Sequence, residues 1–324
     1  MPVDIVTLGE TMLRFTPAGW GRFEHAGAIE THVGGSESNT AVGLARLGNR
    51  VAWLSRLTRN PLGAMIANTL RAHGVDISRV TWTDEDRIGI YYMERGQPPR
   101  ESHLIYDRQN SAASRMTADD LPLDLFQPGA ARLFHTSGIT LGISQTSSAT
   151  ALHAAKLAKE AGMLLSFDLN YRARLWSAEE AKHGCDELLQ LADFIFLPQR
   201  DARTVCQVHL PDPEQTLEEL CLAYPRATIV LTLGQQGAAA RDARGQYWYQ
   251  PAYAAEQIER LGRGDAFSAG FLSGYLQTGQ VAQALQWGTA TAAIKMTVPG
   301  DLPLIDRSQV EKLLAGESSQ GIAR

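Results

Sequence analysis

Cysteine is scarce in this 324-residue chain: Cys185, Cys206 and Cys221 are odd in number, lack metal-ligand spacing and sit inside helical-looking stretches. They read as buried or incidental thiols, with a catalytic thiol as the other reading. The eight histidines are scattered without an H-x-x-x-H pair or a Cys neighbour, so a metal-hydrolase site has no ligand set. No uncharged apolar run reaches the ~18 residues of a membrane span, and the opening MPVDIVTLGETML has no basic segment leading into an apolar one. A cytoplasmic protein with no membrane partner is expected. A basic surplus is missing too: 30 Lys+Arg stand against 35 Asp+Glu, a net charge of −5, and no window gathers the cations into a stripe. Nucleic acid is therefore not an expected partner. There is no Walker A sequence, SGITLG (137–142) is not a nucleophile elbow, and LGETML offers no G-x-G-x-x-G for a dinucleotide.

What is present is an ordinary globular composition, 44% hydrophobic, enough for one large core or two smaller ones. Short β-rich runs recur: DIVTLG near the start, VAWLSR (51–56), RLFHTSG (132–138), LLSFDLN (164–170), DFIFLP (193–198) and TIVLTLG (228–234). Between them lie helical patterns. SESNTAVGLARLG (36–48) opens on Ser caps and stops at Gly48, and QTSSATALHAAKLAKEAG (145–162) stops at Gly162. Strands alternating with helices predict an α/β fold, a mostly parallel central sheet covered on both faces. The alternation breaks over 11–33 and 87–110, where strands and Gly/Pro turns predict a small β appendage inserted in two pieces. The main domain is then 1–10, 34–86 and 111–324, and the tail AGESSQGIAR is expected to fray.

In IERLGRGDAFSAGF (258–271), Gly262, Arg263 and Gly264 turn into an apolar helix whose first turn carries Asp265. Such a turn aims backbone N–H groups and the positive end of the helix dipole at one point. Two readings of Asp265 follow: an acid that complements the dipole, or a general base beside an anion-binding turn. Ala266, Gly270 and Gly274 recur at four-residue spacing and give the helix a flat face for close packing.

The stretch resembles the second signature, D-T-x-G-A-G-D-x-F, of the ribokinase-like, PfkB-type carbohydrate kinases, read here as Glu259 through Phe267. GGSESNTAVGLARLG (34–48) is similar to the first signature, a Gly-Gly followed by an Asn and a small-residue helix. The resemblance runs from LGETMLRF (8–15) to IKMTVPGD (294–301) and implies a ribokinase-like three-layer sandwich with the β appendage as a substrate lid. It implies that Asp265 takes the proton of the acceptor hydroxyl while the N–H groups of Gly262, Arg263 and Gly264 form an anion hole. Arg263 replaces the usual Ala, and Glu259-Arg260 replaces Asp-Thr in a way that resembles the sugar-acid kinase branch.

On the nucleotide side, TLGQQGAAAR (232–241) looks like the family's strand–turn segment, with Gly234 and Gly237 permitting backbone approach and Thr232 where many relatives have Lys. A plain hairpin would use the same glycines. PQRD (198–201) keeps only Asp201 of the family's N-x-x-E pair, and a solvated helix-start aspartate is the competing reading. VPGD (298–301) and Lys295 resemble an adenine-side and cation-loop region. The implied cofactors are ATP, Mg²⁺ held largely through phosphates and water, and a monovalent cation.

On the acceptor side, DLNYRARLW (168–176) would bring Asp168, Asn170 and Arg172 to the carboxyl edge of the sheet. Arg172 either pairs with Asp168 or offers its planar fork to a carboxylate. The pattern D-x-N-x-R-x-x-L-W resembles 2-keto-3-deoxygluconate kinases and implies the second. IYDRQNSAAS (105–114) resembles the same branch, bringing Tyr106 and Arg108, with Tyr91, to the lid. Tyr91 and Tyr92 face opposite ways on a strand, so one of them only packs. Arg14 lies where neutral-sugar relatives carry an acid, so Arg14, Arg108 and Arg172 together imply an anionic substrate. Gly34 through close approach, Gly35, and Asn39 through its amide complete the pocket, unless Asn39 is simply an exposed residue of the helix's first turn. The expectation is ATP-dependent phosphorylation of a sugar acid, 2-keto-3-deoxygluconate first among them, by a homodimer or higher homo-oligomer. A kinase for a neutral ketose or nucleoside, and a non-catalytic sugar- or nucleotide-binding relative, are the alternatives.

Overall fold

Apolar runs without polar alternation need cover on both faces, and the architecture supplies it. The computed structural model describes residues 3–317. Its centre is a nine-stranded sheet in the order Tyr247–Gln250, Ala238–Arg241, Thr228–Thr232, Phe194–Pro198, Leu164–Asp168, Leu133–Ser137, Ile5–Leu8, Val51–Leu54, Val75–Asp76. The strands from Thr228–Thr232 to Val75–Asp76 run parallel, and a hairpin adds the other two antiparallel. Phe194, Phe196 and Val230 enter one core with Phe267 and Phe271, while Ile195, Leu197 and Ile229 enter the other with Ala154 and Leu188. The chain runs outward from Ile5–Leu8 to Val75–Asp76, then returns on the opposite side at Leu133–Ser137. The carboxyl ends of Ile5–Leu8 and Leu133–Ser137 therefore flank a switch point, where open α/β sheets leave a crevice.

A second sheet has the order Ile29–Gly34, Met12–Pro17, Ile90–Glu94, His103–Asp107, with the central pair parallel and the outer pairs antiparallel. Cross-strand register puts Arg14, Tyr91 and Tyr106 on one face and Phe15, Tyr92 and Ile105 on the other. Tyr92 packs against the Phe15 and Phe23 rings, each with centroids 5.9 Å away, so of the adjacent tyrosines it is the packing one. A further pair, Arg56–Thr58 with Thr81–Thr83, was not expected from the sequence.

Two local expectations need correction. The helix Ser36–Arg46 is not capped by serine: Gly35 is its N-cap, and the Ser36 hydroxyl donates instead to Asp265 Oδ1 at 2.8 Å. A serine does cap Gln145–Glu160, through Ser144, and both helices stop at glycines with left-handed backbone, Gly48 and Gly162. Cys206 lies beyond the helix Gln199–Thr204, whereas Cys185 and Cys221 are helical. Burial raises all three thiols, Cys206 to about 11, which leaves no activated thiolate at neutral pH. Of the tail expected to fray, residues 318–324 lie outside the described residues. No helix among the described residues is long and apolar enough to cross a membrane.

The helix Arg263–Thr278 lies along Val281–Met296 through its small residues. A Cβ on Gly270 would stand 2.4 Å from Thr291 Oγ1 and 2.5 Å from the Trp287 carbonyl oxygen, while one on Gly274 would come only to 3.0 Å of the Trp287 side chain. Gly270→Ala is therefore expected to destabilise the protein by about 1–3 kcal/mol despite the helix-propensity gain, and Gly274→Ala by clearly less. Urea midpoints followed by circular dichroism check this, and equal midpoints for Gly270→Ala and the parent chain would contradict it.

Candidate active site

Gly262 adopts φ +73°, and a Cβ there would meet the Asp301 carbonyl oxygen at 1.9 Å, so only glycine can begin the Arg263–Thr278 helix at this point. A helix start leaves N–H groups without intrahelical partners. Ala266 N–H donates to the Gly262 carbonyl, and Arg263 N–H turns back to Arg260 at 3.3 Å. Those of Gly262, Gly264 and Asp265 have no acceptor among the described residues. Arg263, expected to lend a backbone donor to the anion hole, is thus replaced in that set by Asp265 itself. A Cβ on Gly264 would meet nothing within 4 Å, because this side of the turn faces open space.

Asp265 is 9% exposed, with Oδ1 accepting from the Ser36 hydroxyl and Oδ2 from Asn39 Nδ2 at 2.7 Å. Asn39 is itself buried, which removes its reading as an exposed first-turn residue. Asn170 Nδ2 donates to the Ser36 oxygen at 2.7 Å, linking the strand end after Leu164–Asp168 to the same cluster. Burial raises the Asp265 carboxyl, and the two donors pull it back. Asp168 is pushed up to about 8, by burial and then by the like charge of Asp265. Asp201 is fully buried instead of solvated at a helix start, accepting from Tyr171 N–H at 3.1 Å and Arg200 Nε at 2.9 Å.

One cavity of about 1640 Å³ follows the carboxyl edge of the sheet. Tyr91, Tyr106 and Arg108 border it from the smaller sheet, Gly34, Gly35, Asn39, Asp168, Asn170 and Arg172 along its length, and Gly262, Arg263, Gly264 and Asp265 at its floor. Asp201, Thr232, Gly234 and Gly237 border its far end. Tyr106 stacks on Tyr91, centroids 5.8 Å apart, and the Tyr91 hydroxyl donates to Asp301. Several glycines serve the protein's own packing: a Cβ on Gly34 would meet the Asp301 carboxyl at 2.8 Å, on Gly35 the Glu10 carbonyl at 2.1 Å, and on Gly237 the Gln250 carbonyl at 2.1 Å.

The cationic pocket differs from its expected form. Arg14 is fully buried outside the cavity, 3.2 Å from Asp301 Oδ2 and 3.4 Å from Glu259 Oε2. Arg108 is paired with Glu10. Arg172 makes no ion pair with Asp168; it is exposed to the cavity and, among the described residues, donates only to the Tyr171 carbonyl at 3.1 Å. Arg174, Arg260 and Arg263 join it on the lining, also without a carboxylate partner among the described residues. Sequence reasoning missed Ser36 as an Asp265 donor, Glu10 as the Arg108 partner, and Glu37, whose buried Oε1 accepts from Ser137 and Thr140 at 2.6 Å. The only signal for Ser36 and Glu37 was the polar density of SESN at the start of an otherwise apolar helix.

The Asp168 carboxyl titrates near 8 when folded against a reference of 3.8, so the folded chain holds its proton across that window. The stabilising contribution is complete below the unfolded value and is lost as pH rises through the folded one. Asp168→Asn imitates the protonated form, so it should leave Tm nearly unchanged at about pH 3.5, raise it increasingly as pH climbs from there toward the folded value, and raise it by roughly 2–8 °C at about pH 9. Scanning calorimetry across that range checks this, and a pH-independent difference would contradict the buried, proton-retaining carboxyl.

The chain matches the pfkB family carbohydrate kinase profile over residues 3–306. It is 40% identical over 98% of both chains to the 2-dehydro-3-deoxygalactonokinase of Haloferax volcanii. It is 31% identical to the 2-dehydro-3-deoxygluconokinase of Bacillus subtilis over 93% of this chain and 92% of that one. The crystal structure of 2-dehydro-3-deoxygluconokinase from Thermotoga maritima superposes with a TM-score of 0.90 at 30% identity, covering 97% of this chain and 100% of that one, so the fold is ribokinase-like. With that coverage and the two glycine-rich turns around Asp265, the chain belongs to the pfkB family of carbohydrate kinases.

Proposed function

We propose that the protein transfers the γ-phosphoryl group of ATP to the primary hydroxyl of a sugar acid, 2-keto-3-deoxygluconate or 2-keto-3-deoxygalactonate. The names of the relatives support the substrate class. One observation carries the chemistry: a carboxylate held by Ser36 and Asn39 beside helix-start N–H groups that have no acceptor among the described residues, on the floor of the cavity. Asp265 accepts the hydroxyl proton as the acceptor oxygen attacks, and the N–H groups of Gly262, Gly264 and Asp265 stabilise charge on the transferring group. Arg172 meets the substrate carboxylate with its fork. Arg108, steadied by Glu10, and Tyr106 meet hydroxyls, and Asp168, protonated at neutral pH, donates to a substrate oxygen. Closure of the smaller sheet over the cavity excludes water as a competing acceptor.

Kinases of this family use ATP with Mg²⁺. Among the described residues no cluster of acidic, His or Cys side chains could cage a metal, and Asp201 spends both oxygens on Tyr171 and Arg200. These residues fit an ion carried on the nucleotide's phosphates, which neutralises their charge. A monovalent cation does not fit: the carbonyl oxygens of Val298 and Gly300, in the loop expected to hold it, accept from Lys295 Nζ at 3.0 and 2.9 Å. We read the enzyme as cytoplasmic, where ATP is found, and as a homodimer through the outer lid face, where Ile105 is 60% exposed beside Tyr92. A neutral-sugar kinase is the second reading, favoured by the neutralisation of Arg108 by Glu10.

ADP release should be seen with the two keto-deoxy acids and not with fructose, ribose or a nucleoside. Asp265→Asn should lower turnover by about 10²–10⁴ with substrate binding nearly intact, and unchanged turnover would remove Asp265 from the role of base. Arg172→Ala should raise KM for the acids by about 10–10²; an equal effect on a neutral sugar would sink the carboxylate contact.

A further inference from the structure

Lys295 stands in the last turn of Val281–Met296 with its side chain entirely enclosed. Lysine is rarely buried without partners, and its partners here are two backbone carbonyls, Val298 and Gly300, just beyond the helix end. The next residue, Asp301, places its carbonyl oxygen against Gly262, and Lys295 Cε itself would lie 3.4 Å from a Cβ on that glycine. The neighbouring segment is stitched to the same helix end: the N–H groups of Ile258 and Glu259 both donate to the Met296 carbonyl, at 2.9 and 3.1 Å. Glu259 Oε1 in turn accepts from the N–H groups of Arg260 and Leu261 at 3.0 and 3.3 Å. The ammonium thus sits between the negative end of one helix and the positive end of the next, underneath the turn that carries Asp265.

We infer that the Lys295 ammonium is a built-in monovalent cation for the phosphate-binding turn: it holds the loop 298–301 in place, adds positive potential below Gly262 and Gly264, and makes turnover independent of potassium or sodium. Loop carbonyls pointing at one place form a seat for a small cation, and here a covalently tethered one fills it. Lys295 is a positioning residue, since the carbonyls separate its charge from the cavity. The inference rests on the reading of the 262–265 turn as the place where the phosphoryl group is held.

Three arms test it with the full-length enzyme and a keto-deoxy acid. Wild-type kcat should be the same in potassium, sodium and tetramethylammonium chloride at equal ionic strength; stimulation by potassium would overturn the inference without further mutagenesis. Lys295→Ala should lower kcat by up to about 10²-fold with a smaller change in KM, and ethylammonium or potassium should restore a good part of it where tetramethylammonium, too large for the seat, does not. Loss of activity in step with loss of Tm, rescued by neither cation, would mean a merely structural lysine. The underlying reading fails differently: Gly264→Val, which fills the open side of the turn, would then leave kcat unaltered, whereas the salt profile of the wild type would not change.

Discussion

A carboxylate buried to nine-tenths at the start of a helix is the constraint around which this fold is arranged. Taking Asp265 out of water is costly unless hydrogen bonds and favourable charge replace the solvent. Two donors come from the helix Ser36–Arg46 and the third partner is the positive end of its own helix. Those elements meet only if their backbones approach closely, and the glycines mark where they do: Gly35 against Glu10, Gly34 and Gly262 against Asp301, Gly270 against Trp287 and Thr291. Small residues that look permissive in the sequence are in fact obligatory, because each Cβ would push apart the elements that keep Asp265 in its place.

Beneath that carboxylate lies a second buried layer of charge. Arg14 comes from the smaller sheet, Asp301 and Glu259 from the segments flanking the helix start, and Tyr91 donates across to Asp301. A buried ion network contributes little net stability, but losing one member strands the others without partners. Its value here is positional: strands of the smaller sheet are joined to the same residues that fix Gly262. Arg14 therefore acts on the site through the backbone, not as the substrate-facing cation its sequence position implied.

The sheet was legible because both its faces are apolar, so runs such as FIFLP and TIVLT could hardly be anything else. The turn before Asp265 was legible because glycine pairs at a helix start have few other uses. Pairings were not. Ser36 and Asp265 are 229 residues apart and Arg14 and Glu259 are 245 apart, and nothing local in GETMLRF distinguishes a guanidinium facing a cavity from one facing a distant acid. The role of Ser36 is hidden for a related reason: a hydroxyl at a helix start commonly satisfies a backbone donor, and only the returning chain offers it a carboxylate. The hairpin at 232–241 lay between, since Gly237 serves the turn itself whatever the cavity holds.

Charge in the cavity is divided by depth, and under the proposed function that division would allow two anions to meet in a chain of net charge −5. The carboxyls of Asp168, Asp201, Asp265 and Asp301 are buried, hydrogen-bonded or neutralised, so their repulsion of incoming phosphate and carboxylate is blunted. Arg172, Arg174, Arg260 and Arg263 line the same space without carboxylate partners among the described residues, and their fields point into the space a ligand would enter. On the proposed reading, a neutral sugar would leave Arg172 with nothing to pair, whereas an acid would supply the missing partner at the carboxyl edge, away from the hydroxyl that Asp265 would deprotonate. Selectivity for an acid would then follow from where charge is left uncompensated, not from how many arginines the sequence contains.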